Sequence, residues 1–250
     1  MNVDYPNQAQ TEQLKQLWQE AFADPDAFWE LFATYGFAPD RCRCVTIDGQ
    51  IAAALYWFDC SYSGKPLAYL YGIATAKTHR SKGLCRTLLE NTHAHLKYLG
   101  YAGVVLVPAD EPLRQMYEKM GYETCCCVTE FVCAVDSEAI QLRQIDKEEY
   151  SLLRRQFLPE KGILQEGDSL HFLEQLAQFY AGEDFLLTVA REEEFFAPEL
   201  LGNAQAAPKI LAALGQKQGK FRIPGNMQPF AMYHPLTDAP TPGYFGLAFD

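Results

Sequence analysis

Three observations in the sequence predict an α/β fold built on a mixed sheet. Residues 69–99 read as a short apolar strand, a basic turn containing glycine, and then a helix. Ahead of them lie two helical patterns and a hairpin pattern, so the opening order is helix, helix, strand, strand, strand, helix. After residue 136 a comparable order returns: helix, helix, strand, strand, helix, strand.

The first element follows from Leu14, Leu17, Trp18, Ala21 and Phe22, which recur at helical spacing over 11–23 until Asp24-Pro25 breaks the pattern. Phe28, Trp29, Leu31, Phe32 and Tyr35 give a second helix, stopped by Gly36. Such stripes ordinarily pack inward. Residues 42–48 and 51–59 form a hairpin about Asp48-Gly49, a strong turn signal, and Ser63-Gly64-Lys65-Pro66 makes the next turn. The strand that follows carries Tyr69, Leu70, Tyr71, Ile73 and Ala74. Beyond the turn at 77–83, Leu84, Leu88, Leu89, Leu96 and Leu99 share one helical face up to Gly100. Residues 104–107 are a strand, Leu113, Met116, Tyr117 and Met120 belong to a short helix, and 122–134 is a long strand or a bent pair.

In the second half, Asp146 and Glu149 have capping-box spacing for a helix running to Phe157. A second helix is expected over 169–180, strands over 185–190 and 195–201, and a short helix over 208–214 that begins with proline and ends at Gly215. Strands at 220–223 and 229–233 complete the pattern. The expected domain division is 1–135 and 136–250.

Composition narrows the function classes. The chain has 250 residues, 48% hydrophobic and 21% charged, as in a globular protein. It has no apolar run of about eighteen residues or more, so no membrane-spanning helix is expected. The opening MNVDYPNQAQ lacks the basic and apolar regions of a secretion signal, which points to the cytoplasm and away from membranes. All eight cysteines precede Val135, mostly in strand-like runs. Cys125-Cys126-Cys127 and Cys42-x-Cys44 lack the pair spacing of structural zinc sites, so reduced thiols and no metal are expected. A net charge of −11 disfavours nucleic acid as a partner. It is compatible with a cationic substrate, although solubility accounts for an acidic surface equally well.

The strand–turn–helix at 69–99 has the makings of an anion site. The first N–H groups of a helix lack intrahelical partners and carry partial positive charge. Gly83 permits close approach of a phosphate to the backbone, and Arg80, Lys82 and Arg86 add charge. The GxxxxGK[ST] and GxGxxG patterns are both absent. What stands there is Arg80-Ser81-Lys82-Gly83-Leu84-Cys85. This resembles the (Gln/Arg)-x-x-Gly-x-(Gly/Ala) signature of the GNAT superfamily of N-acetyltransferases. Cys85 departs from it, standing where the family has Gly or Ala. Further on, Tyr117-Glu118-Lys119-Met120-Gly121-Tyr122 is similar to the family's Tyr-Glu-Lys-x-Gly-Phe ending. The two signatures stand in family order, and the resemblance covers roughly residues 10–135.

The resemblance implies an acetyltransferase-like fold with a splayed central sheet, acetyl-CoA as cosubstrate, and direct transfer to an amine on a small molecule or peptide. It implies that the pyrophosphate sits on the backbone of Ser81, Lys82, Gly83, Leu84, Cys85 and Arg86, with Arg80 beside it. Ile73, Ala74 and Thr75 would meet the pantetheine arm where the strand at 69–75 splays from that at 104–108. Tyr117 matches the tyrosine that acts as general acid toward the CoA sulfur. The early helices would border the acceptor site, so their aromatics either line a pocket or pack as core. Some relatives carry a glutamate base where Val105 stands, so the base is open. Asp110 and Glu111 fit helix caps, and Asp59 is a loose alternative. The apolar tail 244–250 either docks into the first half and delivers the carboxylate of Asp250, as in some multi-domain relatives, or ends as an edge strand in water. His79, His93 and His95 have no nucleophile partner in a recognisable motif. The returning element order reads as a second, degenerate acetyltransferase-like half, with an unrelated α+β cap as the alternative, and without a basic glycine loop at 200–204 no CoA site of its own is expected there. The alternative to an enzyme is a catalytically inactive CoA-binding sensor or interaction protein of the same fold.

Overall fold

The computed structural model describes residues 2–249. β1 (Asn2–Asp4) precedes α1 (Thr11–Phe22) and α2 (Asp26–Tyr35). α1 buries Leu14, Leu17 and Trp18 and stops at Ala23, whose φ of 57° is left-handed. β2 (Cys42–Ile47) and β3 (Gln50–Tyr62) form the expected hairpin. Its turn residues Asp48 and Gly49 have φ of 49° and 80°, the double left-handed step that matches strand twist. β4 (Lys65–Thr75) runs antiparallel to β3. α3 (Leu84–Tyr98) then crosses over to β5 (Gly103–Leu106), which lies parallel to β4. α4 (Glu111–Glu118), β6 (Glu123–Thr124) and β7 (Cys127–Ala134) follow.

The second half begins with β8 (Arg143–Ile145), α5 (Lys147–Phe157), β9 (Leu164–Gln165) and α6 (Asp168–Leu176). The strands β10 (Ala177–Ala181), β11 (Phe185–Ala190), β12 (Phe196–Ala197) and β13 (Glu199–Gly202) come next. α7 (Ala207–Ala213), β14 (Gln218–Pro224), β15 (Gln228–Pro229) and β16 (Met232–Pro235) close the order. The order β8-α5-α6-β10-β11-β13-α7-β14 repeats β1-α1-α2-β2-β3-β4-α3-β5. The corresponding strands lie side by side in each half, β1-β2-β3-β4 and β8-β10-β11-β13, while the intervening β9 and β12 pair elsewhere, with β3 and β14.

Three sheets result. The first runs β1-β2-β3-β4-β5-β16-β6, with β9 on β3; the others run β13-β11-β10-β8 and β12-β14-β7-β15. Strand pairing crosses the division expected at Val135. β7 pairs with β14 of the second half, and β16 inserts between β5 and β6 of the first. Of the two expectations for 122–134, a long strand or a bent pair, the structure has two strands, and they lie in different sheets, parted at Cys125-Cys126. The helix expected over 169–180 ends at Leu176, and 177–181 is a strand whose burial alternates with period two. Leu170, Phe172, Leu173, Ala177 and Phe179 fit either period, and pairing with β8 and β11 decides for the strand.

Residues 244–249 dock between the halves and do not run out as an edge strand in water. All but Gly246 among them are buried apolar side chains. Ile163 N donates to Tyr244 O at 2.8 Å, Gln165 Nε2 to Leu247 O at 2.7 Å, and Cys126 Sγ to Phe245 O at 3.3 Å. Tyr244 Oη donates to Glu199 Oε1 at 3.0 Å. Glu199 is itself clamped by Arg154, at 2.8 Å from Nε and 2.9 Å from the second guanidinium nitrogen, and by Tyr150 Oη at 2.8 Å. Phe249 ends this run against Phe58, Tyr69, Tyr71 and Phe172. Among the described residues, no helix is long and apolar enough to cross a membrane.

Candidate active site

The site starts where two parallel strands part. The β4–β5 ladder covers three pairs, the last being Tyr69 with Val105, while β4 continues to Thr75. A bulge in the β3–β4 pairing falls at Gly72 and turns the end of β4 outward. Gly72 has φ of 59°, and a Cβ there would stand 2.6 Å from the Trp18 ring and 2.9 Å from Tyr56. Only glycine allows the bulge and the close packing of α1 together. Between the diverging ends of β4 and β5 opens a cavity of about 590 Å³. Gly72 and Ile73 form one side, and Leu106, Val107, Pro108 and Ala109 form the other.

A second cavity, about 730 Å³, lies over the turn and the start of α3. The two share Phe22, Ile73, Leu113 and Tyr117, so they adjoin at these side chains. The turn is shaped by left-handed backbone at Ser81 (φ 60°) and Gly83 (φ 79°). Gly83 is the N-cap of α3, with no side chain capping the helix. The first α3 hydrogen bond outside the helix proper is from Thr87 N to Gly83 O at 3.0 Å, which leaves the N–H groups of Leu84, Cys85 and Arg86 as the surplus donors of a helix start. No heavy atom lies within 4 Å of where a Gly83 Cβ would be. The helix start is thus open, uncapped and positive, which suits a pyrophosphate.

Of the residues named from the sequence for the cofactor, Ile73, Ala74, Thr75, Arg80, Ser81, Gly83, Leu84, Cys85 and Arg86 line this cavity. Lys82 is not part of the wall; its Nζ donates to Thr78 O at 2.8 Å and braces the turn. Arg80 Nε donates to Thr75 O at 3.1 Å, tying the turn to the end of β4. Arg86 reaches Lys119 O at 3.3 Å and Glu90 at 3.7 Å. Burial pushes the Cys85 thiol up to about 11, so it stays a neutral small group at the loop.

Tyr117 stands at the junction of the two cavities, on α4, and is 6% exposed. Asp110 caps α4 by accepting from Leu113 N at 2.8 Å, and Glu111 pairs with Arg114 at 3.6 Å, so both acids serve the helix. Burial, then the neighbouring Cys85 and Asp110, raise the Tyr117 phenol above its ordinary value. It therefore keeps its proton at neutral pH and can donate it.

The other candidates fall elsewhere. Asp59 pairs with Arg41 at 3.3 Å and accepts from Tyr101. His93 bonds Tyr122 Oη at 2.7 Å and stacks on His234, and burial lowers it to about 4. His95 bonds Tyr5, and His79 bonds Thr78 at 2.9 Å on the cavity rim. Asp250 lies outside the described residues. Its neighbour Phe249 lines the first cavity, and Phe249 N donates to Tyr69 Oη at 3.2 Å. Sequence reasoning assigned the early aromatics mainly to core. Trp18, Trp29 and Phe32 are core, with Trp18 also reaching the cavity wall, and Phe22 and Phe28 form that wall together with Asp24.

At the corresponding point of the second half, Gly202 also has positive φ, 84°, but a Cβ there would meet Asp184 O at 2.3 Å. Asn203 caps the turn by accepting from Gln205 N at 3.0 Å. That turn is closed and capped where the turn at Gly83 is open and uncapped.

Residues 2–125 match the family described as acetyltransferase (GNAT) domain. Through this half, the chain belongs to the GNAT acetyltransferases. Solved structures extend the likeness in fold beyond the GNAT half. A GCN5-related N-acetyltransferase from Anabaena variabilis is 15% identical with a TM-score of 0.74, covering 94% of this chain and 73% of that one. One from Kribbella flavida is 14% identical with a TM-score of 0.70, covering 93% and 70%. A probable N-acyltransferase from Enterococcus faecalis is 14% identical with a TM-score of 0.68, covering 94% and 72%. No curated protein matches the sequence.

Proposed function

We propose that this protein is an N-acetyltransferase that moves the acetyl group of acetyl-CoA directly to an amine on a small molecule or peptide. The observation that carries the reading is a pair of adjoining cavities, one over the open helix start at Gly83 and one in the gap between β4 and β5, that meet at Tyr117. Acetyl-CoA would supply the thioester. The N–H groups of residues 81–86, with Arg80 and Arg86, would hold its pyrophosphate. The end of β4, at Ile73, Ala74 and Thr75, would hydrogen-bond the pantetheine arm. Tyr117 would give its proton to the departing sulfur.

The acceptor amine must lose a proton. Val105 cannot take one, and Asp250 is our candidate base because its neighbour Phe249 lines the cavity in that gap. Removing Phe249 and Asp250 together is expected to cut turnover at least tenfold while acetyl-CoA affinity holds. Asp250→Asn separates the carboxylate from the ring, and wild-type turnover in that variant dismisses the role.

The second half is read as a degenerate repeat without a CoA site, since the turn at Gly202 is closed. The absence of a carboxylate at Val105 favours a second reading, a CoA-binding sensor or interaction protein without turnover. Isothermal titration with acetyl-CoA tests the shared premise. Wild type is expected to bind, and Gly83→Trp, whose ring would fill the open turn, to lose binding at least a hundredfold while its circular dichroism is unchanged. Equal binding by both would remove the loop from the site. Amine-dependent CoA release then separates the enzyme from the sensor.

A further inference from the structure

A third cavity, of about 260 Å³, lies on the side of the second half. It adjoins the cavity between β4 and β5 at three shared side chains, Phe28, Ala248 and Phe249. Among the described residues it shares none with the cavity over the start of α3. A molecule extending into it from the gap therefore does not compete for the place of the pyrophosphate.

The hollow follows from small residues at the end of a ladder. Ala177 opens β10, Ala190 closes β11, and the two face each other in the antiparallel register. Directly opposed residues put their side chains on the same face, so two methyl groups stand where larger pairs would fill the space. Arg191 N donates to Leu176 O at 2.8 Å and closes the ladder there. Leu173, Leu176, Phe196 and Pro198 continue the apolar wall. Leu176, Ala190 and Phe196 are only half-buried, so apolar surface remains within reach of a ligand. The polar side chains of the wall are Gln175, Arg191 and Glu192, and the last two are exposed, which puts charge on the solvent side.

Resting on the acetyltransferase reading, we propose that this third cavity is the far part of the acceptor site, and that the acceptor is a primary amine carried on an extended apolar chain. The amine stands in the gap between β4 and β5. The chain passes Phe28 and Phe249 and ends between Ala177, Ala190 and Phe196. Each methylene that leaves water there strengthens binding about fourfold. The second half thus has a task without a CoA site of its own, which is to measure the acceptor. The docked tail takes part in it, because Ala248 and Phe249 belong to both walls.

The test is a series of straight-chain primary amines, propylamine, pentylamine and octylamine, assayed by CoA release from acetyl-CoA. From propylamine to octylamine, kcat/KM is expected to rise at least about thirtyfold. Ala190→Trp, which fills the cavity from its half-buried wall, is expected to bring that ratio near unity while acetyl-CoA affinity, read by titration, holds. Ala190→Leu is expected to give an intermediate ratio, and it reads the cavity if the larger ring lowers the melting temperature. A flat length series in wild type overturns the inference, and so does a ratio that survives both substitutions. Octanoyl-CoA with propylamine separates the acyl group from the acceptor. A gain over acetyl-CoA that Ala190→Trp abolishes would assign the cavity to the acyl chain and overturn the inference likewise. If acetyl-CoA binds and the series is flat, this inference falls and the cosubstrate site survives. If acetyl-CoA itself fails to bind, the acetyltransferase reading falls first and this one with it.

Discussion

Tyr117→Phe is expected to lower kcat by about a hundredfold or more, within the range removed with a general acid, and to leave acetyl-CoA affinity within twofold. The split follows from position. Tyr117 sits at the junction of the two cavities and belongs to α4, whereas the surplus N–H groups that would hold the phosphates belong to α3. The variant keeps the ring, hence the edge-on contact with Tyr122 at 5.6 Å, and deletes only the hydroxyl. Its raised phenol pKa means the proton is present across the neutral range, so activity limited by this group declines only well into alkaline pH. Acetyl-CoA titration and steady-state kinetics on the same preparation check both halves. Wild-type kcat in the variant would remove the acid role.

The largest stability effect is expected at Glu199→Leu. Glu199 is 1% exposed and accepts from Arg154, Tyr150 and Tyr244 at once. Removing it strands the Arg154 guanidinium in a site with Ile163 O as its remaining partner, at 3.1 Å. Breaking a buried pair from one side costs about 3–5 kcal/mol. For a chain of this size that lowers Tm by about 6–20 °C. Pairing the change with Arg154→Met is expected to restore much of the loss, because no lone charge remains. The double variant still denies Tyr244 its acceptor, so the tail loosens and turnover stays reduced after stability returns. A thermal melt of Glu199→Leu within about 2 °C of wild type would sink the account.

How legible the site was in the sequence depended on the range of the interactions. The turn at 80–86 and the helix carrying Tyr117 are built by neighbours in the chain, so their residues could be named from short contiguous motifs and the family those motifs resemble; Lys82 braces the turn through Thr78 O. Gly72 was passed over, because its requirement comes from the Trp18 ring, 54 positions away. Asp24 read only as a helix breaker; what makes it a wall residue is the Trp18 bond across the α1–α2 turn. Phe22 and Phe28 have the spacing of core, and nothing local says that one face of each stays open. The insertion of β16 and the exchange of β7 were invisible for the same reason: antiparallel pairing between distant segments leaves no periodic trace in either.

The position of Met232–Pro235 between β5 and β6 bears on how the molecule is made. A ribosome delivers the GNAT half first, yet β5 keeps an open edge until the chain has been synthesised as far as residue 235. Through that interval a buried strand of valines and leucine, Gly103–Leu106, offers ready pairing to any other extended segment nearby. The half that would do the chemistry is therefore completed late in synthesis, and its protection during that wait falls to chaperones or to speed of elongation.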